Sequence, residues 1–146
     1  MNRFLDEKII SNWNLLFLCW LIAAASIAGS LFFSEVMEFA PCSLCWYQRI
    51  CLFPLLFIFL TGLFPFDSNV VKYALPLTST GCLIALYQNL LYYKIIPESL
   101  KPCTQGVSCS EGYIDLFGFL TIPMLALIGF SILTALLLIL KRRISL

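Results

Sequence analysis

The chain contains no histidine and very little charge: 17 charged side chains in 146 residues, 12% of the total against 61% hydrophobic. The missing histidine excludes histidine-ligated haem, histidine-ligated zinc and any Ser-His or Cys-His nucleophile pair. A net charge of +1, with the basic residues gathered into no aromatic-interleaved stripe, excludes electrostatic nucleic-acid binding as a main activity. An ordinary soluble domain carries charge on roughly a quarter of its residues, so this composition disfavours a water-soluble globule.

The scarcity of charge is organised. No charged residue falls in Ile9 to Ser34, Ile50 to Phe66, Tyr73 to Tyr93 or Leu116 to Leu140, runs of 26, 17, 21 and 25 residues. Each is about one bilayer long, since a crossing helix needs roughly 20 apolar residues. A membrane barrel would instead need alternating segments of about ten residues, and these runs are apolar on all sides. The expected fold is an all-α membrane protein, a bundle of four transmembrane helices in a single domain over 1–146. The approximate spans are 13–33, 46–65, 72–92 and 117–140, with exterior loops 34–45 and 93–116.

Arg3, Lys8, Lys72, Lys141, Arg142 and Arg143 fall on one side of these spans, and Lys94 and Lys101 on the other, with Arg49 at the mouth of the second span. The positive-inside rule then puts both termini in the cytoplasm. Small residues at Ala25, Ala28 and Gly29 would also suit a signal-peptide cleavage site, but the uncharged run continues through Phe33, longer than a signal core needs. With this orientation Cys42, Cys45, Cys103 and Cys109 lie outside, where disulfides persist. Cys19, Cys51 and Cys82 fall within spans and read as small buried hydrophobes.

Cys42 and Cys45 form a C-x-x-C motif at the entrance to the second span. The helix N-terminus there favours a thiolate over a thiol and makes the disulfide a better oxidant. Arg49, four residues after Cys45, falls one turn deeper on nearly the same face. Its guanidinium either snorkels to lipid headgroups or stabilises negative charge on a sulfur or on an acceptor beside it. Cys103 and Cys109 bracket a polar loop, either as a structural staple or as a second redox pair. A four-cysteine zinc site is a further alternative, with an uncommon C-x5-C half. Two pairs on one side, one against lipid and one in an accessible loop, suggest electron passage from a soluble dithiol through the loop pair to the C-x-x-C pair and on to a quinone, either ubiquinone or menaquinone. No metal is expected. Electron flow in the reverse direction would need paired cysteines reachable from the cytoplasm; a non-catalytic scaffold or channel subunit would show no thiol turnover.

Pro41-Cys42-Ser43-Leu44-Cys45-Trp46-Tyr47-Gln48-Arg49 resembles the signature of the disulfide bond formation protein B (DsbB) family, in its short BdbC-like branch. Gly29 through Glu35, Lys101-Pro102-Cys103 through Cys109, Tyr113-Ile114, Phe117-Gly118-Phe119 and Thr121-Ile122-Pro123 look like the same branch. The resemblance implies a four-helix enzyme of the bacterial cytoplasmic membrane that reoxidises a soluble thiol oxidase of the DsbA/BdbD kind and passes the electrons to quinone. It further implies redox disulfides Cys42–Cys45 and Cys103–Cys109. Cys103 would receive the partner's attack, Cys109 would exchange with Cys42, and Cys45 would face quinone. Many members carry a histidine in the outer half of the third span, where this chain has Tyr87-Gln88-Asn89. Gln88 or Asn89 could hydrogen-bond a quinone carbonyl, but neither exchanges a proton near neutral pH. Glu35 and Glu38 are the nearest candidates for proton delivery besides solvent.

Other span features read as structural. Ala25 with Gly29, and Ser26 with Ser30, have the small-xxx-small spacing that permits close helix approach. Trp13 and Tyr73 suit the inner interface, and Trp46, Tyr47, Tyr92, Tyr93 and Tyr113 the outer one. Pro54, Pro76 and Pro123 lie inside or near the ends of spans, where neighbouring helices can accommodate a kink.

Overall fold

The computed structural model describes residues 2–38, 41–100 and 121–145. Four helices long and apolar enough to cross a membrane form the fold: α1 (Asn2–Leu31), α2 (Ser43–Leu63), α3 (Val70–Tyr92) and α4 (Ile122–Ser145). The 21 residues of α2 rise about 31 Å, close to the hydrocarbon thickness of a bilayer. In lipid the backbone has no water to bond, so an apolar run satisfies its amides internally as helix. Two short helical pieces complete the described chain: a π-helical turn over Phe32–Val36, and a 3₁₀ turn over Glu98–Leu100.

The helices pack in a ring, α1 against α2, α2 against α3, α3 against α4, and α4 back against α1. Leu16, Cys19 and Ala23 of α1, Leu55 and Phe59 of α2, Ala74 and Ala85 of α3 and Leu137 of α4 are fully buried at its centre. Ile50, Phe57 and Leu83 are among the large apolar side chains turned outward, as lipid-facing positions require. At the end holding the α1 N-terminus, Arg143 Nη1 donates to Ser11 Oγ at 2.7 Å and Trp13 Nε1 donates to the Leu63 carbonyl at 3.3 Å. The second contact satisfies a carbonyl that the end of α2 leaves without an intrahelical partner. The dithiol site lies at the opposite end.

Several details differ from the sequence expectations. α1 begins at Asn2, well before position 13, because its first turns are polar but remain helical. Pro123 sits in the first turn of α4, where a missing N–H costs nothing, whereas Pro54 and Pro76 are within α2 and α3. Ala25 is exposed, and a Cβ added at Gly29 would meet nothing within 4 Å, so this pair makes no close helix approach. The tight places are elsewhere. A Cβ at Gly62 would overlap Val70, and one at Gly81 would overlap the Phe130 ring. Ser26 does face α4, with its Oγ 3.8 Å from the Cβ position of Gly129. Cys19 and Cys51 are buried, but Cys82 is only half-buried, 3.6 Å from Ser131 Oγ. The expected start of the fourth span at 117, together with Cys103, Cys109 and Tyr113, lies outside the described residues.

Candidate functional site: a dithiol at a helix entrance

α2 starts with its cysteines. Cys42 is the N-cap, extended at φ −71° and ψ 165°, and its carbonyl accepts from the Trp46 amide at 3.2 Å. Cys45 follows in the first turn. The spacing brings the sulfurs together: Cys42 Sγ donates to Cys45 Sγ at 3.2 Å. Both sit in a small apolar cluster with Leu44, Ile84, Tyr87, Leu91 and Ile96. The Cys42 thiol is pushed above the ordinary cysteine range, first by its hydrogen bond to Cys45 and then by burial. Cys42 therefore keeps the proton, and Cys45 is the sulfur placed to accept hydrogen bonds.

Arg49 lies one turn further along α2, and its side chain is turned into the bundle. Its Nε donates to Ser30 Oγ and its Nη2 to the Ser30 carbonyl, each at 2.7 Å. The guanidinium carbon is 5.4 Å from the Trp46 ring centroid, in cation–π range. With the residue only 8% exposed, these bonds to α1 and the Trp46 face hold the charge. Ser30 is just ahead of the π-helical turn, a distortion that often marks functional segments of helices.

The two polar residues of α3 diverge. Gln88 Nε2 lies 3.5 Å from Cys42 Sγ and 3.4 Å from Cys45 Sγ, within donating distance of both. Its Oε1 accepts from Gln48 Nε2 at 2.7 Å. Asn89, the next residue, turns the other way: its Nδ2 donates to the carbonyls of Ala85 and Pro123, each at 2.8 Å, tying α3 to α4. The structure thus brings Cys42, Cys45 and Gln88 into one cluster with Arg49 one turn along the helix, and engages Asn89 Nδ2 in bonds within α3 and to α4. Cys103 and Cys109 lie outside the described residues, and so does half of the four-cysteine zinc alternative. Glu35 and Glu38 are exposed, and neither enters the hydrogen-bonded cluster.

Sequence reasoning had not singled out Gln48 and Ser30 as site residues. Gln48 had two available signals, its place in the Pro41 to Arg49 signature and an uncharged polar side chain in the first turns of an apolar helix. Ser30 had its small size and its place in the Gly29 to Glu35 segment that shares the resemblance.

Four helices apolar enough to cross a membrane, with a partly buried dithiol at a helix entrance, define a multi-pass membrane thiol–disulfide oxidoreductase. The family model for disulfide bond formation protein DsbB matches residues 12–140, and the chain belongs to that family. It is similar to a probable disulfide formation protein of Metapseudomonas resinovorans, 47% identical over 132 residues that cover 90% of this chain and 92% of that protein. It is also similar to the disulfide bond formation protein C of Bacillus subtilis (strain 168), 43% identical over 126 residues, 86% of this chain and 91% of that one. A probable disulfide formation protein C 2 of Bacillus cereus is 45% identical over 115 residues, 79% and 82% of the two chains. No solved structure matches the chain. Membership of this family gives the protein a role in forming disulfide bonds at a membrane.

Proposed function

We propose that the protein reoxidises a soluble, extracytoplasmic thioredoxin-like thiol oxidase and passes the electrons to a membrane quinone. The observation that carries this reading is the Cys42–Cys45 dithiol, seated where α2 meets the membrane surface with hydrogen-bond donors against its sulfurs. The partner's thiolate attacks the Cys103–Cys109 disulfide, and the released Cys109 thiolate attacks Cys42. Each exchange forms one S–S bond and breaks one, so the electron pair arrives on Cys45. The partner's second thiolate then releases Cys103, Cys103 takes Cys109 back from Cys42, and the Cys42–Cys45 dithiol left behind would give two electrons and two protons to a quinone as it returns to the disulfide. Arg49, fixed by Ser30, supports that step by holding positive charge near the lipid-exposed Trp46 and Ile50.

Two further observations fit. The Leu100 carbonyl accepts from the Tyr87 hydroxyl at 2.8 Å, so the chain leaves for the segment carrying Cys103 beside the neighbour of Gln88. The basic residues Arg3, Lys8, Lys72, Lys141, Arg142 and Arg143 belong to the bundle end opposite the dithiol, which by the positive-inside rule is cytoplasmic. The dithiol then faces the exterior of a bacterial cytoplasmic membrane. The test mixes the lipid-reconstituted protein with a reduced thioredoxin-like dithiol protein and follows its oxidation together with quinone reduction. Stoichiometric, quinone-dependent turnover is expected; thiol oxidation that ignores quinone refutes the reading.

A further inference from the structure

The electron relay above assigns no step to the glutamine pair that closes over the sulfurs. Gln88 is 3% exposed and Gln48 7%, and an amide taken from water at such depth is costly without partners. Gln88 directs its nitrogen at two sulfurs, which are weak acceptors as neutral thiols and much stronger ones when charged. The arrangement gains most when one sulfur is a thiolate.

Gln48 decides whether that gain is available. A glutamine side chain can present its oxygen or its nitrogen to a neighbour, and only the nitrogen favours a thiolate. By donating to Gln88 Oε1 at 2.7 Å, Gln48 commits the Gln88 oxygen away from the sulfurs and the N–H groups toward them. The two residues come from different helices, 40 positions apart, so the polarity of this chain is set by the packing of α2 on α3.

We propose that Gln88, oriented by Gln48, is the hydrogen-bond donor to the thiolate released when the Cys42–Cys45 disulfide opens, and that it sets how oxidising this disulfide is. The inference rests on the redox reading of the pair. In the step concerned, an attacking thiolate forms a bond to Cys42 Sγ and the Cys42–Cys45 bond breaks, its electron pair staying on Cys45 Sγ. The attacking sulfur is oxidised and Cys45 is reduced, with no proton required. Gln88 meets that charge as it forms, and Gln48 acts through Gln88 as a positioning residue. Stabilising the reduced form raises the potential of the couple. Because an amide does not titrate between pH 5 and 9, its own state is constant across that range, unlike that of an imidazole, and its contribution follows the charge on the sulfur alone.

The test uses the full chain in lipid nanodiscs with Cys103→Ser and Cys109→Ser, so that Cys42 and Cys45 form the exterior couple. The protein is equilibrated against glutathione buffers of graded ratio, quenched in acid and alkylated, and the reduced fraction is counted by mass. Gln88→Met keeps the side-chain volume and removes both N–H donors; Gln48→Met with Gln88→Met also removes the donor that would be left unpaired, which protects the fold. Both are expected to lower the equilibrium constant for reduction about tenfold, equivalent to about 30 mV. Gln88→Glu, which puts a carboxylate against the sulfurs, should lower it further at pH 8 than at pH 5, beyond the slope of the parent. An unchanged constant in the double methionine variant, with the pair still cycling, overturns the proposal. A parent protein whose two sulfurs never change state in these buffers overturns the redox reading itself.

Discussion

Ser30 and Arg49 allow the proposed quinone step to be separated from helix packing. Arg49 makes two charge-assisted hydrogen bonds to Ser30, each at 2.7 Å, and lies over Trp46. A hydrogen bond to a charged group contributes about 1.5–3 kcal/mol, and a cation–π contact at a partly exposed site about 0.5–1 kcal/mol. Because the Trp46 ring is half exposed, the lower ends apply. Ser30→Ala removes the Oγ acceptor and spares the carbonyl, so it loosens the guanidinium by about 1.5 kcal/mol, at most about tenfold in occupancy. Arg49→Lys keeps the charge but cannot bridge both acceptors with a planar fork. Arg49→Ala removes everything. The quinone KM should therefore rise in the order Ser30→Ala, Arg49→Lys, Arg49→Ala, reaching at least about tenfold in the last. Single-turnover oxidation of the partner dithiol, measured without quinone, should stay near the parent rate in all three. A quinone KM unchanged in Arg49→Ala, in a protein whose unfolding midpoint has fallen, would refute the argument and leave Arg49 as a tie between α1 and α2.

Gly81→Ala should destabilise the bundle by about 1–3 kcal/mol through overpacking on Phe130, as read by reversible unfolding in mixed micelles, and Phe130→Leu should recover most of the loss. Gly29→Ala, at an open position, should cost nothing; an equal loss at both glycines would contradict the packing described. Asn89→Leu removes the amide bonded to the Pro123 carbonyl and should cost about 0.6–1.7 kcal/mol, the range for interhelical hydrogen bonds in membranes, with the quinone KM unchanged. A raised KM at full stability would make Asn89 a quinone ligand instead. When the reduced protein is treated with limiting alkylating agent at neutral pH, Cys45 should be modified before Cys42, which keeps its proton through the bond to Cys45. The reverse order, read by peptide mass, would show that the hydrogen bond runs the other way.

The sequence shows the four crossings because lipid leaves an apolar run no option but helix, and it shows the dithiol because two cysteines at C-x-x-C spacing meet through local geometry alone. What it does not carry is helix rotation. Ala25 and Gly29 have the right spacing for a close approach, yet their side of α1 is open, while Gly62 and Gly81, unremarkable in sequence, face Val70 and Phe130. Gln88 is legible as a polar residue in a span, but its partner is on another helix, and nothing local distinguishes the sulfurs from a quinone as its target. The extent of α1 is hidden for a different reason. Hydropathy marks where lipid begins, and a helix already paired along its backbone continues past that point through Arg3, Asp6 and Glu7.

Rotation is also what the polar contacts at the dithiol end govern. Between helices in a membrane the hydrophobic effect supplies no driving force, since lipid tails are as apolar as the core, and van der Waals packing tolerates small rotations. Hydrogen bonds do not. Arg49 to Ser30 fixes α2 on α1, Gln48 to Gln88 fixes α2 on α3, and Asn89 to the Pro123 carbonyl fixes α3 on α4. Successive residues on a helix point about 100° apart, so the adjacent Gln88 and Asn89 reach different neighbours only at one rotation of α3. Turning α3 by a single position would bring Asn89, one methylene shorter, toward the sulfurs and release the Pro123 carbonyl. The same contacts that hold the bundle at its dithiol end therefore decide which amide meets Cys45.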